Sequence, residues 1–282
     1  MKVIYKLVDI IKRNKLESLG LLLVVTFLIM ALFGPLLAPY SPTALNLAER
    51  FKPPSPQYWF GTDASGRDIL SRTIVGARAS LTIAFWVIVT ATAIGGSLGI
   101  VAGFFGGLVD EIAMRLADVF LAFPSLILAM AIAAALGTGL TAVCIGLAFT
   151  WWPGYARLLR ARVLVIKEEP YIESARAIGC GTWRIIFRHV VPNVLSPLIV
   201  QTTLDVGYVI LAAAGLGFIG VGVQPPTPEW GVMIAAGREY ILSRWWVSTF
   251  PGIALFGTVL GFNLVGDLLR NELDPQLKRR AI

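Results

Sequence analysis

The chain of 282 residues is 56% hydrophobic and only 15% charged, with a mean hydropathy of +0.75. Soluble domains are about 45–50% apolar and about 25% charged, so the composition argues against a water-soluble globule, and equally against a disordered chain or a scaffold held by disulfides. The net charge of +7 is better explained by basic cytoplasmic loops of a membrane protein than by binding to nucleic acid.

Long runs without any Asp, Glu, Lys or Arg mark the membrane-spanning segments. About 20 apolar residues cross a bilayer, and the charge-free runs cover 18–48, 79–109, 119–156, 206–228 and 245–266. They predict an all-α polytopic membrane protein with six transmembrane helices, at Ser18–Leu37, Ser80–Phe104, Arg115–Leu136, Leu140–Leu159, Val194–Val223 and Val247–Leu269. The third and fourth should form a hairpin around a glycine-rich turn, and the fifth should tilt or be irregular.

The distribution of basic residues predicts the orientation of these helices. If the N-terminus is inside, 17 Lys and Arg residues lie on the cytoplasmic side and seven lie outside. The positive-inside rule therefore places both termini in the cytoplasm of a cell-membrane protein. We divide the chain into a cytoplasmic segment 1–17, a membrane domain 18–270 and a cytoplasmic tail 271–282, with an external loop 38–79 and a cytoplasmic loop 160–192.

The two larger external loops have features of their own. Gly66–Ser80 can form an amphipathic helix in which Asp68 and Arg72 pair, as an interfacial anchor or as a docking surface for a binding protein. The loop from Gln224 to Trp246 begins with three prolines and ends in two tryptophans. It could fold back over the mouth of a pathway or form a belt of interfacial aromatic residues.

The cytoplasmic loop contains a pattern of two short helices. Pro170 suits the first turn of a helix, with Tyr171, Ala175 and Ile178 on one face, and Gly179 and Gly181 should end it. Thr182 can cap a second short helix, which Pro192 should separate from the fifth span. The loop could dock into a groove of a soluble partner or lie on the membrane surface.

The same loop resembles the EAA signature of ABC importer permeases. That signature reads E-A-A, three residues, G, about nine residues and I-x-L-P, and it is matched here by Glu173-Ser174-Ala175, Gly179 and Pro192. The chain differs from this signature at three positions, Ser174, His189 and Val191. Further motifs resemble the dipeptide/oligopeptide/nickel branch of this family and extend the resemblance over nearly the whole chain: Phe60-Gly61-Thr62-Asp63, Gly66-Arg67-Asp68, Ser71-Arg72, the segment 224–231, Phe262-Asn263-Leu264, Gly266-Asp267 and Leu273-Asp274-Pro275.

The resemblance implies the type I ABC importer permease fold and a subunit of a larger machine. Such permeases pair with a second, related permease, two cytoplasmic ATPases that hold ATP and Mg²⁺, and an extracytoplasmic binding protein. By this resemblance the coupling element, which docks on the ATPase, comprises Glu173, Ser174, Ala175, Ala177 and Gly179. The implied cargo is a short peptide, with glutathione or nickel complexes as alternatives.

The chain lacks the motifs of an enzyme or of a nucleotide-binding protein. It has no G-x-x-x-x-G-K-[ST] phosphate loop, no G-x-S-x-G elbow, and one histidine without a Cys/His cluster. We therefore predict no catalytic residue, no metal site and no cofactor in the chain itself. An ion-coupled secondary transporter is a less favoured alternative, since paired repeats are not visible, and an intramembrane enzyme would require a polar constellation in the spans that we do not find.

Asp205 is the remaining candidate site residue. It lies 13 residues after Pro192 in the fifth span, which places it about 20 Å along a helix and well into the bilayer. A carboxylate is costly there, so it should face the protein interior, a partner or water. It could line the pathway and meet a cationic group of the cargo, or it could hydrogen-bond to another span.

Overall fold

The computed structural model describes residues 15–273, and within this range the chain is helical and contains no β-strand. This confirms the all-α fold class. The predicted segments 1–17 and 271–282 lie mostly outside the described residues. The helices, numbered in chain order, are α1 (Lys15–Leu37), α2 (Ile69–Phe105), α3 (Gly107–Leu121), α4 (Ser125–Leu136), α5 (Leu140–Ile166), α6 (Pro170–Ala177), α7 (Thr182–Ile219), α8 (Trp230–Gly237) and α9 (Trp246–Leu273).

Four helices, α1, α2, α7 and α9, are long and apolar enough to cross a membrane. Helices α3 and α4 meet the same condition only as a pair, bent by 87°. With 27 residues, α5 extends about 40 Å, but Arg157, Arg160 and Arg162 make its second half less apolar. The structure thus supports four or five spans by composition, and the sixth, formed by α5, stays a prediction.

The third predicted span is wrong as a single helix. Helix α3 ends at Leu121 and α4 begins at Ser125, with Pro124 in the N-cap position of α4. Proline has no N–H to continue the hydrogen-bond ladder, which explains the break. The 12 residues of α4 rise about 18 Å, less than the hydrocarbon core of about 30 Å.

The predicted amphipathic helix over Gly66–Ser80 is not a separate element. It is the first part of α2, which continues to Phe105 over 37 residues, so the external loop predicted for 38–79 ends at Asp68. Its residues are buried inside the protein, with Ile69 at 1% and Ala77 at 0% exposure. The interpretation as an anchor on the membrane surface is therefore wrong.

The fifth span also begins earlier than predicted. Helix α7 runs without interruption from Thr182, through a π-helical turn at Ile186–Val190, to Ile219. Pro192 does not separate two helices, because it directly follows the π-helical turn, where the amide of Val191 bonds to the carbonyl of Ile186 and the helix continues. Gly181, not Thr182, occupies the N-cap position.

Glycines allow α2 and α5 to approach each other at backbone distance. A Cβ at Gly95 would lie 2.1 Å from the carbonyl oxygen of Trp152, and a Cβ at Gly99 would lie 2.3 Å from that of Ala156. Close packing of small residues is the main source of helix association in membranes, where burial of apolar surface gives little driving force. The contact fixes α5, the helix that leads into the loop carrying the EAA-like motif.

Candidate functional site

The candidate site is the coupling segment, residues 167–181, which connects α5 to α7. This segment is shorter than the predicted cytoplasmic loop 160–192 because α5 extends to Ile166 and α7 starts at Thr182. Within it, α6 begins at Pro170, as predicted, after Glu169 in extended conformation. Proline suits this position because its fixed φ is helical and its missing N–H would be unpaired anyway.

Gly179 ends α6 with a left-handed residue, φ +82°. The amide of Cys180 donates to the carbonyl of Ala175 at 3.0 Å, and the amide of Gly179 donates to that of Arg176 at 2.9 Å. These two bonds are a Schellman motif, which satisfies the last carbonyls of a helix. Nothing lies within 4 Å of a Cβ built on Gly179. Glycine is therefore favoured here by the left-handed backbone conformation and not by lack of space for a side chain.

The residues of the predicted coupling element divide between two faces of α6. Glu173, Ser174 and Ala177 are exposed, as is Gly179 just after the helix, whereas Ala175 is 5% exposed. Together with Ile172, Ala175 packs into a cluster formed by the ends of α5 and α7, including Leu159, Val163, Ile185, Val190 and Val194. Ala175 therefore attaches α6 to the membrane domain, and the other residues are available to a partner.

The predicted grouping of Tyr171, Ala175 and Ile178 on one apolar face is wrong. Tyr171 is 41% and Ile178 is 81% exposed, because the buried face is the one that carries Ile172. Burial and the nearby Glu169 raise the pKa of Tyr171 above its usual value. Its hydroxyl accepts a hydrogen bond from the Asn193 side chain at 3.3 Å, which joins α6 to α7.

Sequence reasoning missed an exposed apolar patch beside α6. Trp183 and Phe187 are 60% and 67% exposed, with their rings stacked at a centroid distance of 6.0 Å. Phe105, at the end of α2, meets Trp183 edge-on at 6.2 Å. The spacing of Trp183 and Phe187, four residues apart, was the signal that could have identified them. Ile178, just after α6, is a further exposed apolar side chain, at 81%.

Asp205 lies on α7, away from the coupling segment in sequence, and the structure does not join it to the EAA-like residues. It is 8% exposed, and the side-chain amide of Gln201 donates to its Oδ1 at 3.1 Å. The hydrogen-bond partner of this carboxylate is therefore a side chain one turn earlier on the same helix.

The segment from Gln224 to Trp246 folds back onto the helices. Trp230 is fully buried, and its indole N–H donates to the carbonyl of Thr73 on α2 at 2.9 Å. Arg72 is 3% exposed and donates to the carbonyls of Pro42 at 2.7 Å and Pro226 at 3.2 Å. Buried side chains thus connect the segments before α2 and before α8 to α2.

No group of three or more His, Cys, Asp or Glu side chains within residues 15–273 could hold a metal ion. The two cysteines, Cys144 and Cys180, are free.

Family models match two parts of the chain. Residues 95–279 match the binding-protein-dependent transport system inner membrane component. Residues 8–54 match the N-terminal TM domain of oligopeptide transport permease C.

Individual relatives are similar over almost the whole chain. The dipeptide transport system permease protein DppC of Alkalihalophilus pseudofirmus is 45% identical, over 95% of this chain and 88% of that protein. The probable D,D-dipeptide transport system permease protein DdpC of Escherichia coli is also 45% identical, over 96% and 91%. The glutathione transport system permease protein GsiD of Pectobacterium atrosepticum is 41% identical, over 91% and 86%.

A solved structure supports the fold. The chain is similar to the MetNI methionine ABC transporter in inward-facing conformation, with a TM-score of 0.59 and 19% identity, over 73% of this chain and 98% of that one.

Proposed function

Since the chain belongs to the family of binding-protein-dependent transport system inner membrane components, we propose that it is the transmembrane permease subunit of an ATP-driven importer of short peptides. The observation that carries this proposal is the 45% identity, over 95% of the chain, to a dipeptide transport permease. The family is one of multi-pass inner-membrane proteins, and a permease subunit is not itself an enzyme.

The exposed side of the coupling segment is the surface that we assign to the ATPase. Glu173, Ser174 and Ala177 form a small, polar face on a helix with a fixed end at Gly179. Small residues allow a partner to approach closely, and the exposed side chains of Ile178, Trp183 and Phe187, which follow them in the chain, add apolar area that contact with a protein would bury. Ala175, packed against α5 and α7, passes the displacement of α6 to both helices.

The membrane domain, 18–270, would form the translocation pathway together with a second, related permease. Both termini lie in the cytoplasm in this proposal. Two cytoplasmic ATPase subunits bind and hydrolyse ATP with Mg²⁺, and an extracytoplasmic binding protein delivers the cargo. The chain itself needs no cofactor for this role.

Glutathione is the second candidate cargo. The relative named for glutathione transport is 41% identical over 91% of this chain, only slightly less similar than the peptide permeases. Glutathione is itself a short peptide, so the same pathway chemistry would serve both. Nickel complexes stay a further alternative within the branch that the motifs resemble.

Reconstitution of the chain with its partners in proteoliposomes tests the proposal. Uptake of a labelled dipeptide should require the binding protein and ATP, and it should persist when ion gradients are dissipated. The isolated chain should neither bind nor hydrolyse ATP, because it lacks a phosphate loop. Uptake driven by an ion gradient without ATP would instead establish a secondary transporter, and nucleotide turnover by the purified single chain would refute the subunit assignment.

A further inference from the structure

Phe51, in the segment between α1 and α2, has an unusual backbone conformation. Its φ of +54° is left-handed, and among residues 15–273 it is the sole residue other than glycine with a positive φ. A bulky side chain is disfavoured there and is retained only when the surrounding structure holds it, a condition found most often at functional sites. One such contact is the hydrogen bond from the amide of Phe51 to the carbonyl of Asp63, at 3.1 Å.

The ring of Phe51 contacts basic and aromatic groups from two segments of the chain. The guanidinium of Arg244 lies 4.2 Å from the ring centroid, and that of Arg50 lies 5.7 Å from it. The Tyr240 ring lies 4.7 Å away, centroid to centroid. Cation–π contacts at these distances position a guanidinium without neutralising its charge. Phe51 thus joins two positive charges, one from the segment before α2 and one from residues 238–245, between α8 and α9.

This arginine pair, Arg50 and Arg244, has no carboxylate partner in the described part of the chain. Neighbouring basic side chains are already paired with carboxylates: Lys52 with Glu49, and Arg67 and Arg72 with Asp63. The Nε of Arg244 is enclosed and makes no hydrogen bond within residues 15–273. Since a guanidinium presents a fork of donors that matches a carboxylate, a carboxylate from another molecule would complete the site.

The surroundings of the arginine pair suit contact with a protein better than an enclosed ligand. Arg50 is exposed, and Leu242, in the turn before Arg244, is 100% exposed, with Ile241 and Trp245 about half exposed. A site for a small molecule is concave and buries most of its occupant. A protruding surface that combines arginine, tryptophan and aliphatic side chains has instead the composition of a protein–protein interface.

We propose that Arg50 and Arg244, positioned by Phe51, bind carboxylate side chains of the binding protein that delivers the cargo. The inference rests on the proposed function, which supplies this partner and the orientation that places both segments outside. Because the two arginines come from different segments, a docked acidic surface bridges the segment before α2 and residues 238–245. Complementary charge of this kind speeds encounter and fixes the orientation of the docked protein.

The test uses the assembled complex in proteoliposomes and measures uptake against the concentration of cargo-loaded binding protein. Arg50→Gln and Arg244→Gln should each raise the concentration needed for half-maximal uptake about tenfold and leave the maximal rate unchanged, since a docking contact is lost. Arg238→Gln is the matched control, because it removes the same charge from the same segment, but its guanidinium lies over Phe218, at 5.4 Å. Its shift should be less than about twofold.

Two outcomes of this titration would overturn the proposal. One is an unchanged half-maximal concentration in Arg50→Gln; because Arg50 is exposed, this variant decides the question even if Arg244→Gln assembles poorly. The other is a shift in Arg238→Gln as large as that in Arg244→Gln, which would show that net charge alone matters. Impaired uptake only of peptides with a free C-terminal carboxylate, at an unchanged half-maximal concentration, would assign the arginines to the cargo and refute ours.

A zero-length cross-link tests the chemistry of the partner. Arg50→Lys keeps the charge and supplies a primary amine, which a carbodiimide joins to an adjacent carboxylate. Mass spectrometry should find this lysine joined to an Asp or Glu of the binding protein, and the wild-type complex, whose Lys52 is paired with Glu49, should give much less product. Absence of this conjugate would contradict the docking role. Failure of the proposed function would appear differently, as wild-type uptake that needs no binding protein.

Discussion

The carboxylate of Glu229 caps α8 from inside the protein. It is 2% exposed and accepts hydrogen bonds from the amides of Gly231 and Val232, at 2.9 and 3.0 Å, and from the hydroxyl of Ser80 at 3.3 Å. Burial raises its pKa, although the hydrogen bonds act in the opposite direction. One side chain therefore both starts α8 and joins it to α2.

Replacing this residue should destabilise the contact between α8 and α2. Glu229→Ala leaves three buried donors without an acceptor and removes the cap, at a cost of about 2–4 kcal/mol. Thermal unfolding of the purified protein in detergent measures the loss. Glu239→Ala is the control, since Glu239 is exposed in the 3₁₀ turn Arg238–Tyr240 that follows α8, and it should leave the unfolding midpoint unchanged. Equal midpoints for both variants would contradict the capping role.

The sequence predicted the pairing of individual side chains least well. The spacing of Asp68 and Arg72 suggested an i,i+4 pair, but Asp68 is the N-cap of α2 and accepts from the amide and hydroxyl of Ser71 at 2.7 and 2.6 Å. Arg72 instead lies 3.6 Å from Asp63, in the preceding loop. Helical spacing indicates which side chains are close enough to pair. The actual partners depend on how the loop before α2 folds.

At the scale of helices, the α2–α5 contact depends on the absence of side chains. At Gly99 a Cβ would lie 2.3 Å from a backbone oxygen of α5, which cannot rotate away. We expect Gly99→Leu to cost at least about 3 kcal/mol, the upper end for overpacking, because whole helices must separate. Ser97→Leu, on the exposed side of the same helix, is the matched control. The yield of folded, monodisperse protein in detergent would be measured for both variants. Comparable yields would refute the close packing of α2 against α5 at Gly99.

The end of α6 allows a test in which conformation is separated from size. A Cβ at position 179 has no neighbour within 4 Å, but valine there strains a backbone at φ +82° by about 1–3 kcal/mol. Asn tolerates this region better. We predict that Gly179→Val inserts normally but loses peptide uptake, whereas Gly179→Asn retains much of it. Equal activity of the two variants would show that the left-handed conformation does not matter for coupling.

Proximity of the ATPase to α6 can be measured by cross-linking. A cysteine introduced at Ala177, which is exposed, should cross-link to the ATPase, and one at Ala175, which is 5% exposed, should not. The background needs Cys180→Ser, because Cys180 is a half-buried free thiol next to the segment. Cross-linking from position 175 but not from 177 would invert the assignment of the two faces.

Helix class and approximate position were readable from the charge-free runs, whereas breaks and junctions were not. The run 119–156 continues through Pro124, so the corner between α3 and α4 has no charged residue to mark it, and the Pro124-Ser125 pair is its signal in the sequence. The two amphipathic patterns at Gly66–Ser80 and Thr182–Phe187 were read as separate elements. They are the beginnings of α2 and α7 because nothing interrupts the backbone before the apolar run.

For the whole molecule, the arrangement across the membrane is the main testable expectation. Reporter domains fused after Gly139 and Thr227 should be active outside, and those after Gly179 and Lys278 in the cytoplasm, because 17 of the basic residues then lie inside. The fusion after Lys278 tests the tail, which lies outside the described residues. An external Gly179 would overturn both the orientation and the assignment of the coupling segment.

The 37 residues of α2 have a mechanical consequence. At 1.5 Å per residue the helix is about 55 Å long, and it begins at the external loop held by Arg72 and ends beside Trp183 of the coupling region. Because Gly95 and Gly99 pack it against the backbone of α5, a tilt of α2 would pivot near this contact. From a pivot at Gly95 and Gly99, the arm to Ile69 is about 42 Å and the arm to Phe105 is about 12 Å, so a tilt of about 5° would move these two ends by about 3.7 and about 1.0 Å in opposite directions. Narrowing on one side of the membrane would then accompany widening on the other without any helix unfolding.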